Sequence, residues 1–168
     1  MELLKAVLDK ISYNLRERNE TISVAESVTS GYLQLAFSQM PCAEAFFKGG
    51  ITAYTLEQKV KHFNIDSDKA WAVNCVSREI CEEMSQNVAL IFDTDWSIAT
   101  TGYATPVPES DNEIFAYYSI AYRGTIIRSD KIELHHLTKP MDAQHYFMDY
   151  ILGCLRCEVK RNQSTISI

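Results

Sequence analysis

A short run of small and polar residues carries the first chemical signal in this sequence. Glu26, Ser27, Thr29, Ser30 and Gly31 stand between a β-branched apolar stretch and a segment with the apolar spacing of a helix. A turn from a strand into a helix leaves backbone N–H groups unpaired at the helix start, and such groups attract anions and developing negative charge. A hydroxyl group in this turn is either a helix cap or a nucleophile, and the turn alone leaves both interpretations open.

Two further segments with polar groups, Tyr54–Lys59 and Thr101–Pro106, also follow predicted strands. Ligands of such sheets bind beyond the carboxyl ends of the strands, so the three segments would form a single site if they converge. Each side chain also has a structural interpretation. Lys59 would be a surface charge on a helix, Tyr54 a core residue at a strand end, and Thr101 a turn hydroxyl.

Hydrophobic periodicity predicts the elements that must position these segments. Helices are predicted over about 1–18, 32–39, 43–47, 55–64 and 77–92 and from residue 140 onwards, and strands over 22–25, 48–54, 96–100, 114–122 and 125–134. Thr55 and Ser77 are predicted N-caps, and residues 66–74 and 101–112 are predicted to be loops. Strands that alternate with helices and then form a hairpin predict an α/β fold, a three-layer α/β/α sandwich with a mixed sheet. We expect one domain over 1–168, with a frayed tail over 160–168.

Composition and charge exclude several classes of protein. The chain has 168 residues, of which 46% are apolar and 23% are charged, as expected of one soluble globular domain. Its net charge of −6 argues against a general nucleic-acid surface. No apolar run reaches the length of a membrane span, and an N-terminus that alternates charge with leucine is not typical of a signal peptide. We therefore expect a cytoplasmic protein whose partners include neither nucleic acid nor a membrane.

The cysteine and histidine residues do not form a metal-binding pattern. Five cysteines, an odd number without framework spacing, predict reduced thiols. Cys154 and Cys157 form a CxxC, but no second Cys or His pair accompanies them, so we expect partly buried thiols in a helix. His135 and His136 are predicted to lie on a strand, where consecutive side chains point to opposite faces. No metal site is predicted.

Four segments resemble motifs of the CinA C-terminal family, the nicotinamide-nucleotide amidases. Residues 25–31, Ala-Glu-Ser-Val-Thr-Ser-Gly, resemble the family's AESxTGG motif, and residues 49–59 are similar to its GGxxxYSNxxK segment. Val76-Ser77 falls where the family has AVS before a long helix, and residues 101–106 resemble its TGxAGP loop. Because order and spacing agree over about residues 1–150, the chain is identified as a diverged member of this family.

The resemblance implies hydrolysis of the carboxamide of nicotinamide mononucleotide to nicotinic acid mononucleotide and ammonia, with no metal and no cofactor. It implies Ser27 as the nucleophile, Lys59 as its base, Tyr54 as a hydroxyl partner that orients them, and Thr101 as a further catalytic residue. A lysine acts as a base only if its pKa lies well below the free value of about 10.4. Backbone N–H groups at residues 29–31 and 101–102 would bind an oxyanion or a phosphate. The implied substrate-binding residues are Glu26, Thr29, Ser30, Gly31, Gly102 and Lys139.

Several positions depart from the family pattern. Ser30 replaces a glycine of the first motif, and Thr105 stands where the last motif has glycine. Met141 and His145 fall at the places of two arginines that would meet the substrate, and Lys139 would supply a charge without the bidentate fork of a guanidinium.

These departures leave three hypotheses open. The first is an amidohydrolase acting on a small nucleotide or carboxamide. The second is a catalytically diverged paralogue that binds or regulates through a small-molecule pocket. The third is an oligomeric scaffold whose first and last helices pack against a partner subunit. We expect a homo-oligomer, a dimer or higher.

Overall fold

A mixed five-stranded sheet forms the centre of the computed structural model, which describes the backbone of residues 2–164 and the side chains of residues 4–162. The strands are β1 (Ile22–Glu26), β2 (Phe47–Thr52), β3 (Trp96–Tyr103), β4 (Ile114–Tyr122) and β5 (Thr125–Leu134), in the spatial order β2-β1-β3-β4-β5. β1 pairs in parallel with β2 and with β3, whereas β3 with β4 and β4 with β5 are antiparallel. The predicted α/β fold with a mixed sheet is confirmed.

Helices cover both faces of this sheet. They are α1 (Glu2–Glu17), α2 (Tyr32–Ser38), α3 (Ala43–Phe46), α4 (Leu56–Phe63), α5 (Ser67–Ala72), α6 (Arg78–Phe92) and α7 (Pro140–Ser164), with a 3-10 turn at Pro108–Ser110. One apolar core joins α1, α2 and α7 to the sheet, and a second joins α4, α5 and α6 to its other face. All five residues of β1 are buried, as expected of a central strand that is covered on both sides. No helix of the described chain is long and apolar enough to cross a membrane.

Polar side chains begin the helices of the second face. Thr55 Oγ1 accepts a hydrogen bond from the backbone N–H of Gln58 at 3.4 Å, and Ser77 Oγ accepts one from Ile80 N–H at 3.2 Å. Each cap satisfies one of the donors that a helix start leaves unpaired. The predicted caps at Thr55 and Ser77 are therefore confirmed.

Two predicted loops contain regular structure. Residues 66–74 include α5, whose N-cap Asp66 accepts from Lys69 N–H at 2.8 Å. The segment predicted to loop after residue 100 continues as strand to Tyr103, because Thr101 and Gly102 stay paired with Tyr117 and Ala116 of β4. These loop predictions were wrong, and the second change places Thr101 inside the sheet.

The predictions for the C-terminal third also change. β5 ends at Leu134, so His135 and His136 lie beyond the strand, both exposed, with their rings stacked at 4.3 Å rather than on opposite faces. Cys154 is buried but Cys157 is exposed, so the prediction of partly buried thiols was wrong for Cys157. Residues 160–164 belong to α7 rather than to a frayed tail, and residues 165–168 lie outside the described chain.

Candidate active site

Glu26, the last residue of β1, caps the helix that follows it. Its carboxylate is fully buried and accepts backbone N–H bonds from Gly31 at 3.0 Å, Leu33 at 3.1 Å and Gln34 at 2.8 Å. A negative charge at a helix N-terminus is stabilised by the helix dipole and by these unpaired donors. The chain reverses through left-handed conformations at Ser30 (φ 49°) and Gly31 (φ 98°) to allow this contact. The Glu26 carboxylate is therefore used as a helix cap, and its contacts do not support the substrate-binding role implied by the resemblance.

The same turn determines which backbone donors remain for a substrate. Ser30 N–H donates to Ser27 O at 3.1 Å, and Gly31 N–H donates to Glu26. Among the described residues, the N–H groups of Val28 and Thr29 have no acceptor. Of the predicted oxyanion donors at residues 29–31, only the N–H of Thr29 is therefore unpaired. The N–H of Val28 is a second unpaired donor, which the sequence did not indicate.

Lys59 is buried although it lies on a helix with many polar residues. It is 4% exposed, and its Nζ donates to Thr101 Oγ1 at 3.1 Å. Thr101 Oγ1 in turn donates to Cys75 O at 3.0 Å. Lys59 forms no ion pair with any residue of the described chain, and burial lowers the pKa of its ammonium, an effect that nearby Cys75 and Cys81 partly oppose. The interpretation of Lys59 as a surface charge was wrong.

Ser27 follows β1 directly and is 4% exposed. Its Oγ forms no hydrogen bond within the described part of the protein, and the residue lines the same cavity as Lys59. Tyr54 also lines this cavity but is 72% exposed, so the interpretation of Tyr54 as a core residue was wrong. The Tyr54 hydroxyl does not hydrogen-bond to Ser27 or Lys59, so the orienting role implied by the resemblance has no contact to support it.

The cavity has a volume of about 430 Å³ and opens at the carboxyl ends of β1, β2 and β3, where the three predicted segments were expected to converge. Its lining residues come from five parts of the chain and are Ser27, Val28, Tyr54, Thr55, Leu56, Lys59, Asn74, Val76, Gly102, Tyr103, Ala104, Thr105, Val107, Glu109, Pro140 and Gln144. Of the residues implied by the resemblance, Ser27, Tyr54, Lys59 and Gly102 line it.

Asn74, Tyr103, Glu109 and Gln144 are polar lining residues that were not among the predicted site residues. Asn74 Nδ2 donates to the Tyr103 hydroxyl at 2.8 Å, and Gln144 Nε2 donates to Val28 O at 3.0 Å. Asn74 and Glu109 belong to no motif, and Gln144 lies between Met141 and His145 in a segment that departs from the family pattern. Only the folded chain brings these three residues to the cavity. Tyr103 lies within the last motif, but its place on the wall depends on the continuation of β3 beyond residue 100.

The other residues implied by the resemblance have different surroundings. Thr29 is fully buried, and its hydroxyl hydrogen-bonds to the Thr100 hydroxyl at 2.8 Å. Ser30 is exposed and does not line the cavity, and its Oγ accepts from Gln144 Nε2 at 3.2 Å. Lys139 is exposed and precedes the lining residue Pro140 without lining the cavity itself. Thr101 lies beneath the wall and reaches the site only through Lys59.

Charge on the cavity wall is sparse. Lys59 and Glu109 are the only charged lining residues in the part of the chain that the structure describes. Met141 is 63% exposed, the His145 ring packs edge-on against Tyr32 at 4.5 Å, and neither residue lines the cavity. Within residues 2–164 there is also no group of three His, Cys, Asp or Glu side chains arranged to hold a metal ion.

Comparison with known proteins identifies the family. The model of the family described as "CinA C-terminal domain" matches residues 4–148 of this chain. The chain is 34% identical over 144 residues to a CinA-like protein of Prochlorococcus marinus (strain AS9601), covering 84% of this chain and 34% of that protein. It is 31% identical over 157 residues to a CinA-like protein of Prochlorococcus marinus (strain MIT 9215), covering 92% of this chain and 36% of that protein. The chain thus belongs to the CinA C-terminal domain family, and it spans about a third of these relatives' length.

Solved structures agree on the fold. A CinA superfamily protein from Klebsiella pneumoniae 700603 aligns with a TM-score of 0.85 at 19% identity, over 94% of this chain and 98% of that one. A CinA superfamily protein from Enterobacter cloacae aligns with a TM-score of 0.86 at 20% identity, over 93% of this chain and 92% of that one. At this identity the likeness concerns the fold alone.

Proposed function

We propose that this chain is an amidohydrolase that uses Ser27 and Lys59 to hydrolyse the carboxamide of a pyridine compound, releasing ammonia. Nicotinamide mononucleotide is the substrate that the family resemblance implies. One observation carries the proposal: the cavity joins a serine hydroxyl that has no hydrogen-bond partner in the described chain to a buried lysine without an ion pair. A buried lysine with a lowered pKa has a larger neutral fraction at a given pH than a free lysine, and its neutral amine can accept a proton.

The proposed reaction has two steps. The neutral Lys59 amine takes the proton of Ser27 Oγ while that oxygen bonds to the carboxamide carbon, which gives a tetrahedral intermediate. The N–H group of Val28, a residue that lines the cavity, supplies a donor for the oxyanion. When the C–N bond breaks, Lys59 returns the proton to the leaving nitrogen, and ammonia departs from an ester on Ser27. Water then attacks this ester with the same proton transfers and releases the carboxylic acid.

Thr101 has a positioning role in this scheme. Its single hydroxyl proton is donated to Cys75 O, so its oxygen presents a lone pair towards Lys59 Nζ. This arrangement fixes the lysine against the cavity wall whether the amine is charged or neutral. Thr101 therefore acts through Lys59 and does not touch the substrate.

The test compares two lysines of α4. Ammonia and acid produced from nicotinamide mononucleotide are measured for the wild type, for Lys59→Met and for Lys61→Met, whose side chain is exposed on the same helix. Loss of general-base catalysis should reduce kcat by at least about 10²-fold in Lys59→Met, while Lys61→Met should keep wild-type turnover. A folded wild type that releases no ammonia from nicotinamide mononucleotide or related carboxamides would contradict the proposal.

A second function, a binding module without turnover, is favoured by one specific observation. The described cavity wall has no arginine and its one carboxylate is Glu109, a poor setting for a nucleotide phosphate. Such a module would bind a small molecule but would release no ammonia. Binding would raise the melting temperature of the protein. A thermal shift without turnover would therefore replace the amidohydrolase by a binding module.

A further inference from the structure

The loop that carries Glu109 is a hydrogen-bonded turn rather than a loose segment. Ser110 is 5% exposed, and its Oγ lies 3.0 Å from Val107 O and 2.7 Å from Glu113 O. Asn112 N–H closes the same turn on Val107 O at 3.0 Å. Glu109 is therefore presented to the cavity by a fixed backbone, and moving it away would break several hydrogen bonds.

Glu109 carries the one negative charge among the described residues that line the cavity. When Lys59 is neutral, as the proposed mechanism requires, Glu109 is the remaining charge on the described wall. Among the chain neighbours of lining residues, Glu26 is fully buried in its cap, and Glu57 and Lys139 are exposed with opposite charges. A phosphate monoester carries about −1.5 to −2 charges at neutral pH, so it would be repelled by Glu109 at the cavity wall.

Two tyrosines contribute aromatic rings to the same wall. Tyr54 and Tyr103 both line the cavity, and Tyr103 is held in place by Asn74 and by edge-on packing against Phe115 at 5.6 Å. The faces of aromatic rings attract cations, and a planar cation also stacks on them. A carboxylate together with two tyrosine rings is a suitable environment for a pyridinium ring.

From this charge distribution we infer that the cavity takes a cationic pyridinium carboxamide without a phosphate, of the nucleoside class, and that Glu109 selects it against the phosphorylated nucleotide. The inference rests on the proposed function for its reacting group, the carboxamide at Ser27. It goes further in naming the substrate class and a specificity-determining residue. In this scheme Lys59 acts as the base in the reaction, and Glu109 determines which ligand binds.

The test is the ratio of kcat/KM for nicotinamide riboside to kcat/KM for nicotinamide mononucleotide, from ammonia release at fixed ionic strength. The wild type should favour the riboside at least tenfold, which corresponds to about 1.4 kcal/mol. Glu109→Gln should lower this ratio, and Glu109→Lys should lower it about tenfold or invert it. Glu113→Gln is the matched control, because Glu113 lies on the same turn but lines a different cavity, and it should leave the ratio within about twofold.

Binding separates this inference from the proposed function. Calorimetric titration of Ser27→Ala with each compound should show tighter binding of the riboside, and Glu109→Lys in that background should remove the preference. Riboside-selective binding by a wild type that releases no ammonia would refute the amidohydrolase and leave the selectivity standing. Equal or tighter binding of the mononucleotide would overturn the inference. So would a loss of mononucleotide turnover in Lys139→Ala with unchanged ratios in the Glu109 variants, and so would failure of the riboside to bind.

Discussion

Replacing Glu26 by glutamine should destabilise the fold strongly, although the change removes only a charge. The buried carboxylate holds Gly31 and Leu33 N–H with Oε2 and Gln34 N–H with Oε1. A glutamine has one acceptor oxygen, so at least one buried N–H must face an NH₂ group and lose its partner. An unsatisfied buried donor costs about 1–3 kcal/mol, and the remaining bonds lose their charge assistance. We expect Glu26→Gln to lower the free energy of unfolding by about 2–4 kcal/mol.

Urea denaturation followed by far-UV circular dichroism measures this loss as a shift in the midpoint at constant slope. For a chain of this length the same loss lowers the melting temperature by roughly 5–15 °C. Glu109→Gln is the control, since an exposed glutamate without a capping role should change stability by less than about 0.5 kcal/mol. A loss below about 0.5 kcal/mol in Glu26→Gln would refute the assignment of Glu26 as the cap of α2.

Three further changes have definite expected outcomes. Lys59→Met should raise the melting temperature near neutral pH, because the wild-type fold must either bury the Lys59 ammonium or give up its proton, and both cost stability; this gain should shrink as pH rises from the lowered pKa of Lys59 towards its ordinary value of 10.5. Gly102→Ala should cost about 3 kcal/mol in urea denaturation, since the added Cβ would lie 2.2 Å from Phe115 O. Thr101→Val should move the acidic limb of the pH dependence of kcat/KM to lower pH, because a hydrogen bond that supports charged Lys59 is lost.

The sequence was sufficient for the elements whose signals are local. Thr55 and Ser77 cap the helices that their spacing predicts, and the hairpin of β4 and β5 follows its alternation. A local signal also existed for α5, because Asp66 stands three residues before Lys69, from whose backbone N–H it accepts a hydrogen bond. That helix was missed because its six residues carry too little apolar periodicity to distinguish them from a loop.

The site depends on contacts between distant parts of the chain, and local patterns predicted it only in part. Burial of Lys59 results from its contact with Thr101, which is 42 positions away, and helix periodicity alone indicates an exposed side chain. Glu26 was assigned to the substrate because its motif surrounds Ser27, whereas the reversed chain brings the helix start back onto its carboxylate. Glu109 belongs to no motif, and only the folded turn places it on the wall.

Ammonia release by Ser27→Ala tests the central claim most directly, because Ser27 is the proposed nucleophile and its Oγ has no hydrogen-bond partner among the described residues. Ser30→Ala, a change three residues further along the same turn, is the matched control. Both variants are compared with the wild type on the carboxamide that the wild type hydrolyses best. The account predicts a loss of at least about 10³-fold in kcat for Ser27→Ala and near wild-type turnover for Ser30→Ala. A turnover of Ser27→Ala above about one-tenth of the wild-type rate would contradict the role of Ser27 as the nucleophile.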